Sequence, residues 1–414
     1  MKRKEFLKKL TVAAGVICLS ASLLAGCGSS SSSSSSAAAE SSAETETHAG
    51  SSSASDTVPD EVKTELKSVT GNPDFFASDF GSVDAKKAMK GRKIMLVAYD
   101  STNDWCVNYV KMAQAVYQRL GASVKITYCD GTADSWNEAI QSATNQKYDA
   151  VDLFGISDIG QVKSSINEAK AAGVYVQDTH GSDVSDTSSP ATASVGCDYE
   201  RAGELMAMKI IDEVGSPKDV NCLVVADVGC GADSSVRKGI RKVFDQYGCK
   251  YTMTDVSITD WTEGIGNAVR NAFVADDSYN GLLTYYDNMC LYAVPALQEL
   301  GIDLDSVTIG SFNGNPGLVD YVKNGNMDFD LGESIGWAAC HAADCMARHF
   351  AGKKVHNDSG FAMYFIDSGN VNDYLDPDTG KASYSYDGVQ NIYLPGYRKL
   401  WGVDLKGVFD KVES

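Results

Sequence analysis

Twice along this chain a short unbroken apolar run gives way to an apolar pattern of helical period and then to another strand-like run. Ile94-Met95-Leu96-Val97-Ala98 is continuous, as expected of a strand covered by helices on both faces. After it Cys106, Val110, Ala113, Tyr117 and Leu120 recur at spacings of three and four, one face of a helix that Gly121 ends. Val124, Ile126 and Tyr128 alternate as a second strand, a helix carries Ala139, Ile140 and Ala143, and Ala150 to Ile156 makes a third strand. Helix Val162 to Ala172 and strand Val174-Tyr175-Val176 complete another unit. The order restarts at Asn221, with strand Cys222 to Ala226, helix Ser234 to Tyr247, strand Tyr251 to Ile258, helix 263–275 and strand Gly281 to Tyr285. Strands alternating with helices predict an α/β fold with parallel sheets and right-handed crossovers. Two copies of one plan predict two similar Rossmann-like lobes.

Ligands of open α/β sheets sit beyond the carboxyl ends of the strands. Here those ends carry Asp100 to Trp105, Asp130, Ser157-Asp158, Asp178 to His180, Asp227 to Asp233, Asp260-Trp261, Tyr285-Tyr286-Asp287 and Phe312-Asn313-Gly314. Carboxylates, amides and large aromatics recur among them. Sugar hydroxyls need polar partners and the ring faces need flat apolar surfaces, so this mixture suits a carbohydrate.

The amino terminus sets the address. Lys2, Arg3, Lys4, Lys8 and Lys9 precede an apolar run from Leu10 to Ala25, the pattern of a secretory signal. That run is too short and too rich in small residues for a membrane span, which needs about 20 apolar residues. Leu24-Ala25-Gly26-Cys27 resembles the lipobox of bacterial lipoproteins, which implies a lipid on Cys27 and an extracytoplasmic, membrane-anchored protein. Residues 28–58 are mostly Ser, Ala, Gly, Thr and Glu without apolar periodicity, and are expected to form a disordered tether. The remaining length exceeds what one core usually supports, which again favours two lobes.

Net charge is −19, and the signal contributes five basic residues against Glu5, or +4, leaving −23 on the rest. A nucleic-acid partner is therefore disfavoured. Beyond Cys18 and Cys27 nine cysteines remain, an odd number without a CxxC pair, lying in apolar stretches such as Cys222-Leu223-Val224-Val225, so most read as small core residues. His48, His180, His341, His349 and His356 make no metal-ligand spacing, and neither a metal nor a cofactor is expected. No GxSxG, Walker loop, Ser/His/Asp order or paired-carboxylate spacing points to an enzyme, and Gly229-Cys230-Gly231-Ala232-Asp233 lacks the GxGxxG pattern.

Residues 91–365 resemble the type 1 periplasmic binding proteins of the ribose and galactose group. Asn103-Asp104-Trp105 resembles that family's Asn-Pro-Phe after the first strand, and Ala193 to Gly203 its crossover segment VGxDNxxAG. Asp287-Asn288-Met289 resembles the end of its Asn-Asp-x-Met, Ile309 to Pro316 its VGFDGxP, and Lys323-Asn324-Gly325 its KxG before the hinge. The resemblance implies two lobes joined by three crossovers that close on one small molecule, a monomer, and delivery to an ABC permease. A receptor that presents its ligand to a membrane sensor kinase is the alternative. A transcription factor of the related repressor group is excluded by the signal.

Carried over residue by residue, the resemblance has Asn103 bonding the ligand, with Trp105 and Trp261 covering its two faces. Each has a second reading, since Asn103 is also placed to cap a helix and Trp261 to cap a lobe. Tyr286 stands where the family has Asn, Asn313 where it has a sugar-binding Asp, and Glu333 where a hinge Gln is usual. Glu333 suits an amino-bearing group or a pair of hydroxyls. Arg237 is one position displaced from the family's Arg, and the family's Asp falls on His180 by plain counting or on Asp178 after a two-residue slip. Asp287 is expected to cap the helix near Met289, and Trp337 and Tyr117 to pack in cores. The implied organisation is a signal at 1–27, tether 28–58, an N-terminal extension 59–90, a first lobe of 91–195 plus 334–364, and a second of 196–333 plus 365–414. The tail would cross the hinge near Met363 to Ile366 and end on the second lobe.

Overall fold

The segment expected to be a tether is folded where it can be followed. A computed structural model describes residues 44–357 and 361–412, so the signal, Cys27 and residues 28–43 lie outside the described residues. Strand β1 (Thr45–His48) pairs antiparallel with the edge of a sheet, Thr45 opposite Thr254 and His48 opposite Tyr251. Ser51 N–H donates to the Gly248 carbonyl over 2.8 Å. Edge pairing needs only backbone groups, so a polar strand without an apolar face can join it. Arg241 grips Glu46 and the His48 ring stacks on Tyr251 at 4.3 Å. Helices α1 (Asp60–Ser68) and α2 (Ala85–Met89) follow, the first burying Val62 and Leu66 and the second Ala85 and Met89.

The first lobe is built from β2 (Lys93–Ala98), α3 (Asp104–Arg119), β3 (Ser123–Tyr128), α4 (Ala133–Asn145), β4 (Ala150–Phe154), α5 (Lys163–Ala171), β5 (Tyr175–Asp183) and β6 (Ala193–Cys197). Its strands lie in the order β3-β2-β4-β5-β6, all parallel. Residues of β2 from Ile94 to Ala98 are fully buried, as the unbroken apolar run requires.

The second lobe repeats the plan with α6 (Tyr199–Val214), β7 (Asn221–Val228), α7 (Asp233–Tyr247), β8 (Lys250–Ser257), α8 (Gly266–Ala275), β9 (Gly281–Thr284), α9 (Cys290–Glu299), β10 (Thr308–Asn313), α10 (Pro316–Asn324) and β11 (Phe329–Glu333). Its sheet runs β1-β8-β7-β9-β10-β11-β12, where β12 (Met363–Asp367) is, like β1, an antiparallel edge on a parallel interior. Between β11 and β12 the helix α11 (Ile335–Phe350) returns to the first lobe and packs on α3. The chain thus crosses after Cys197, after Glu333 and again before Met363, the three-crossover hinge expected. Trp337 and Tyr117 are buried core residues, as expected. All nine cysteines after Cys27 are free thiols, eight of them buried.

The tail departs from expectation. Helix α12 (Gln390–Trp401) lies on the first lobe, not the second: Trp401 Nε1 donates to Asp344 of α11 over 2.8 Å, and Arg119 of α3 donates to the Asp404 carbonyl over 3.0 Å. Its apolar face, Tyr393, Tyr397, Leu400 and Trp401, matches the apolar outer side of α11, which would otherwise face water. The N-terminal extension makes a similar crossing, with α1 on α6 in the second lobe and α2 on α11 in the first. Two straps therefore join the lobes in addition to the three crossovers. No helix among the described residues is long and apolar enough to cross a membrane.

Candidate ligand-binding cleft

Strand ends of both lobes enclose a cavity of about 450 Å³, within the range of small-molecule sites. From the first lobe Tyr99, Asp100, Asn103, Trp105, Ser157 and His180 face it, and from the second Asp227, Cys230, Trp261, Tyr286, Asn288 and Asn313.

Asn103 is the N-cap of α3, its side-chain oxygen accepting from the backbone N–H groups of Trp105 at 3.0 Å and Cys106 at 3.2 Å. The amide still lines the cavity, so the cap and the cavity wall are one residue. Trp105, in the first turn of the helix, is nearly buried, packed on Phe154 and edge-on to His180 with centroids 4.4 Å apart. On the second lobe Trp261 opens a short π-helical turn, Trp261–Ile265, and remains half-buried beside Tyr286. Its Nε1 donates to Asp227 Oδ1 over 2.9 Å, while Asp227 Oδ2 has no partner among the described residues. Burial pushes the Asp227 carboxyl up to about 7. Asn313, held at φ 138° at the end of β10, likewise presents a buried side-chain oxygen without a partner. Buried polar atoms left unpaired in a cavity wall are what a ligand's hydroxyls would satisfy.

Three residues singled out from the sequence do not reach this cavity. Asp178 is buried in a serine cluster, accepting from Ser182 Oγ at 2.6 Å, Ser194 Oγ at 3.1 Å and Ser189 Oγ at 3.4 Å, and burial pushes its carboxyl up to about 6. The β5–β6 register is irregular between Thr179 and Asp183, and His180 sits at φ 61°. That irregularity re-aims the chain, so His180 faces the cleft and Asp178 does not. Arg237 lies on α7, held by Asp233 at 3.0 Å and Asp255 at 2.8 Å. An arginine saturated by two carboxylates on the flank of the lobe has no reach into the cleft. Glu333 faces a separate small cavity of about 30 Å³, room for one or two waters. Trp105 lines both cavities, and Glu333 hydrogen-bonds His180 through the wall between them.

Asp287 is also placed otherwise than expected. It makes no cap on its own helix; its carboxylate takes the backbone N–H of Asn315 at 2.7 Å and the side-chain amide of Asn315 at 2.6 Å, at the start of α10. Burial and the adjacent Asp287 carboxylate raise the Asp330 carboxyl well above the usual carboxylate range. Asp227 is the important cleft residue that sequence reasoning places in a strand-end segment without singling it out. Its signal is one carboxylate closing the apolar run Cys222 to Ala226.

A family model described as periplasmic binding protein domain matches residues 94–354. The chain belongs to that family. Among solved structures, GanP, a glucose-galactose binding protein from Geobacillus stearothermophilus, superposes with a TM-score of 0.60 at 16% identity, over 68% of this chain and 99% of its own. A periplasmic ribose ABC transporter structure from Conexibacter woesei gives 0.60 at 18% identity, over 70% of this chain and 95% of its own. The XylFII-LytSN complex gives 0.57 at 18% identity, over 67% of this chain and 98% of that one. Nothing among curated proteins matches. At these identities the structures establish the fold of this periplasmic binding protein, and its ligand class has to come from the chemistry of its own cleft.

Proposed function

We propose that this periplasmic binding protein is an exported lipoprotein, anchored through Cys27, that captures a sugar or sugar derivative between its lobes and delivers it to an ABC permease. One observation carries the ligand class: among the described residues lining the cleft there are aromatic rings, amides, hydroxyls and the carboxylates of Asp100, Asp104 and Asp227, but neither Lys nor Arg. The carboxylate of an amino acid or a phosphate would enter this wall without a positive partner, and an unpaired buried charge is costly. A neutral polyol, or one bearing an amino group, meets acceptors for its hydroxyls and rings for its apolar faces. The similar structures named as a glucose-galactose binding protein and a periplasmic ribose ABC transporter agree with that class.

Asn103, Trp105, His180, Trp261, Tyr286 and Asn313 are the proposed contacts among the residues singled out from the sequence, with Asp227 added. Binding without turnover is the proposed activity, and chemical conversion of a captured sugar would overturn it. A second reading, presentation of the ligand to a sensor protein, is favoured by the similar XylFII structure being one of a complex with LytSN.

The test is mild purification, mass spectrometry of whatever leaves on denaturation, and thermal shift against hexoses, polyols, amino sugars and amino acids. A ligand at a hundredfold excess over Kd raises stability by about 2.7 kcal/mol. Sugars or amino sugars should give that shift; a shift with amino acids alone rejects the assignment.

A further inference from the structure

No short motif joins His180, Cys197 and Glu333, yet the fold brings them together in the hinge. His180 lies in β5, Cys197 is the last residue of β6 and Glu333 the last of β11. One donor atom from each, nitrogen, sulfur and oxygen, lies within 4.8 Å of the other two, and all three side chains are buried. Both β6 and β11 are strands from which the chain leaves one lobe for the other.

Hydrogen bonding around the imidazole narrows what occupies this point. The Tyr199 hydroxyl lies 2.9 Å from the His180 carbonyl, to which it donates, and 2.8 Å from Nδ1. Having spent its only hydrogen on the carbonyl, it accepts from Nδ1–H. The Nε2 lone pair is then directed at Glu333 Oε1, another acceptor. Two facing acceptors need a cation between them, either a proton or a metal. The Cys197 thiol, which donates to Glu333 Oε2 over 3.5 Å, adds a sulfur that becomes a metal ligand on releasing its proton, a group that a shared proton alone would not require.

We propose that His180 Nε2, Cys197 Sγ and the Glu333 carboxylate bind one zinc-class divalent cation in the hinge. Imidazole, thiolate and carboxylate are the donors zinc takes, whereas calcium and magnesium select oxygen alone. Charge also balances: thiolate and carboxylate together neutralise a divalent cation, which a buried site requires. Tyr199 supplies the outer hydrogen bond that fixes the tautomer of a metal-bound histidine. His180 at φ 61° is an uncommon backbone state for a residue with a side chain, and such states persist where surrounding contacts hold them. The cation ties the end of the first lobe's sheet to both crossing strands, so it governs how the lobes open. His180 belongs to this cation group and to the cleft wall alike, so cation and cleft ligand meet at one residue.

The whole protein, stripped with a chelator, is titrated with zinc chloride against a chromophoric competitor and, separately, with cobalt chloride while the absorption spectrum is recorded. The expected result is one zinc per chain, a cobalt–thiolate charge-transfer band in the near ultraviolet, and a raised melting temperature. Cys197→Ser should abolish the band, and Glu333→Gln should keep it while weakening zinc by about tenfold or more. Absence of stoichiometric zinc, absence of the thiolate band in the unaltered protein, or zinc affinity unchanged in both variants overturns the proposal. The spectrum of the unaltered protein decides the matter even if a variant fails to fold.

Discussion

Trp261 donates its indole N–H to Asp227 Oδ1 over 2.9 Å, which makes an aromatic face and a carboxyl group one presenting unit at the second-lobe wall of the cleft. The two residues come from different strand ends, so each fixes the other. Because Asp227 Oδ2 has no partner among the described residues, the pair leaves one strong polar position for a ligand.

The Asp227 carboxyl titrates near pH 7 in the folded protein against an ordinary 3.8, the cause being burial. A raised acid binds its proton more tightly when folded, so unfolding releases protons between about pH 4 and pH 7. Stability of the ligand-free protein should therefore fall as pH rises through that window. A tenfold change in proton affinity is worth about 1.4 kcal/mol, so the whole window amounts to something of the order of 4 kcal/mol. Asp178, raised by burial to about 6, acts in the same direction, as does Asp287, which burial also raises. Urea unfolding of the unaltered protein and of Asp227→Asn at a series of pH values isolates the Asp227 share: the two stability-versus-pH slopes should differ between about pH 4 and pH 7 and agree above and below that window. Equal slopes would mean that Asp227 is not raised.

Trp261→Ala and Trp261→Phe separate ring from hydrogen bond. The alanine variant should lose the thermal shift with the best sugar, because a flat apolar face and the fixed Asp227 go together. The phenylalanine variant keeps a face but leaves Asp227 without its donor, and should bind about tenfold more weakly, the worth of one hydrogen bond. Both should melt, ligand-free, within a few degrees of the unaltered protein, since the indole is only half-buried. A large loss of ligand-free stability in Trp261→Ala would place the ring in the core.

Helices α6 and α7 meet through glycine. A Cβ on Gly239 would stand 2.0 Å from the Glu200 carbonyl oxygen, and one on Gly203 2.4 Å from that of Val236. Backbone lies on the far side of each contact, so no side-chain rotation relieves the clash. Gly239→Ala should cost about 1–3 kcal/mol and lower the urea midpoint without changing the slope, which denaturation curves will show. Gly203 belongs to the crossover segment that resembles VGxDNxxAG, and its role in the fold is this close approach of helices rather than contact with ligand.

What can be read from the sequence follows from the range of the interactions. Strand and helix order in both lobes is legible because side-chain periodicity of two or of three to four is local. Asn103, Trp105, His180, Trp261, Tyr286 and Asn313 can be assigned to the cleft because parallel strands put their ends on one side. Asp178 and His180 cannot be told apart, since the irregularity at φ 61° that turns one toward the cleft and the other away is set by pairing with β6. Arg237 shows no trace in sequence of Asp255, the partner that holds it away. The polar strand β1 has no pattern of its own, and an amphipathic α12 does not say on which lobe its face will rest.

Both straps cover the same buried charges. Arg348 of α11 is buried, with Nε 2.5 Å from Asp344, and its other nitrogens donate to the carbonyls of Phe80 at 2.9 Å and Gly81 at 2.7 Å. Asp344 in turn accepts from Trp401. One ion pair on the core thus needs both the N-terminal extension and the C-terminal helix. Trp337 depends on the same straps, stacked near Phe76 at 5.4 Å and Tyr393 at 5.4 Å. A chain trimmed to 91–364, close to the segment matched by the family model, would expose this ion pair and ring to water along an apolar helix face. It should aggregate or melt without cooperativity, whereas residues 44–414 should unfold in one transition. Arg348→Ala in the untrimmed chain should cost about 3–5 kcal/mol, because it leaves the Asp344 carboxylate buried without a counter-charge. A trimmed core with a cooperative melt near that of the whole protein would show that the straps are accessories.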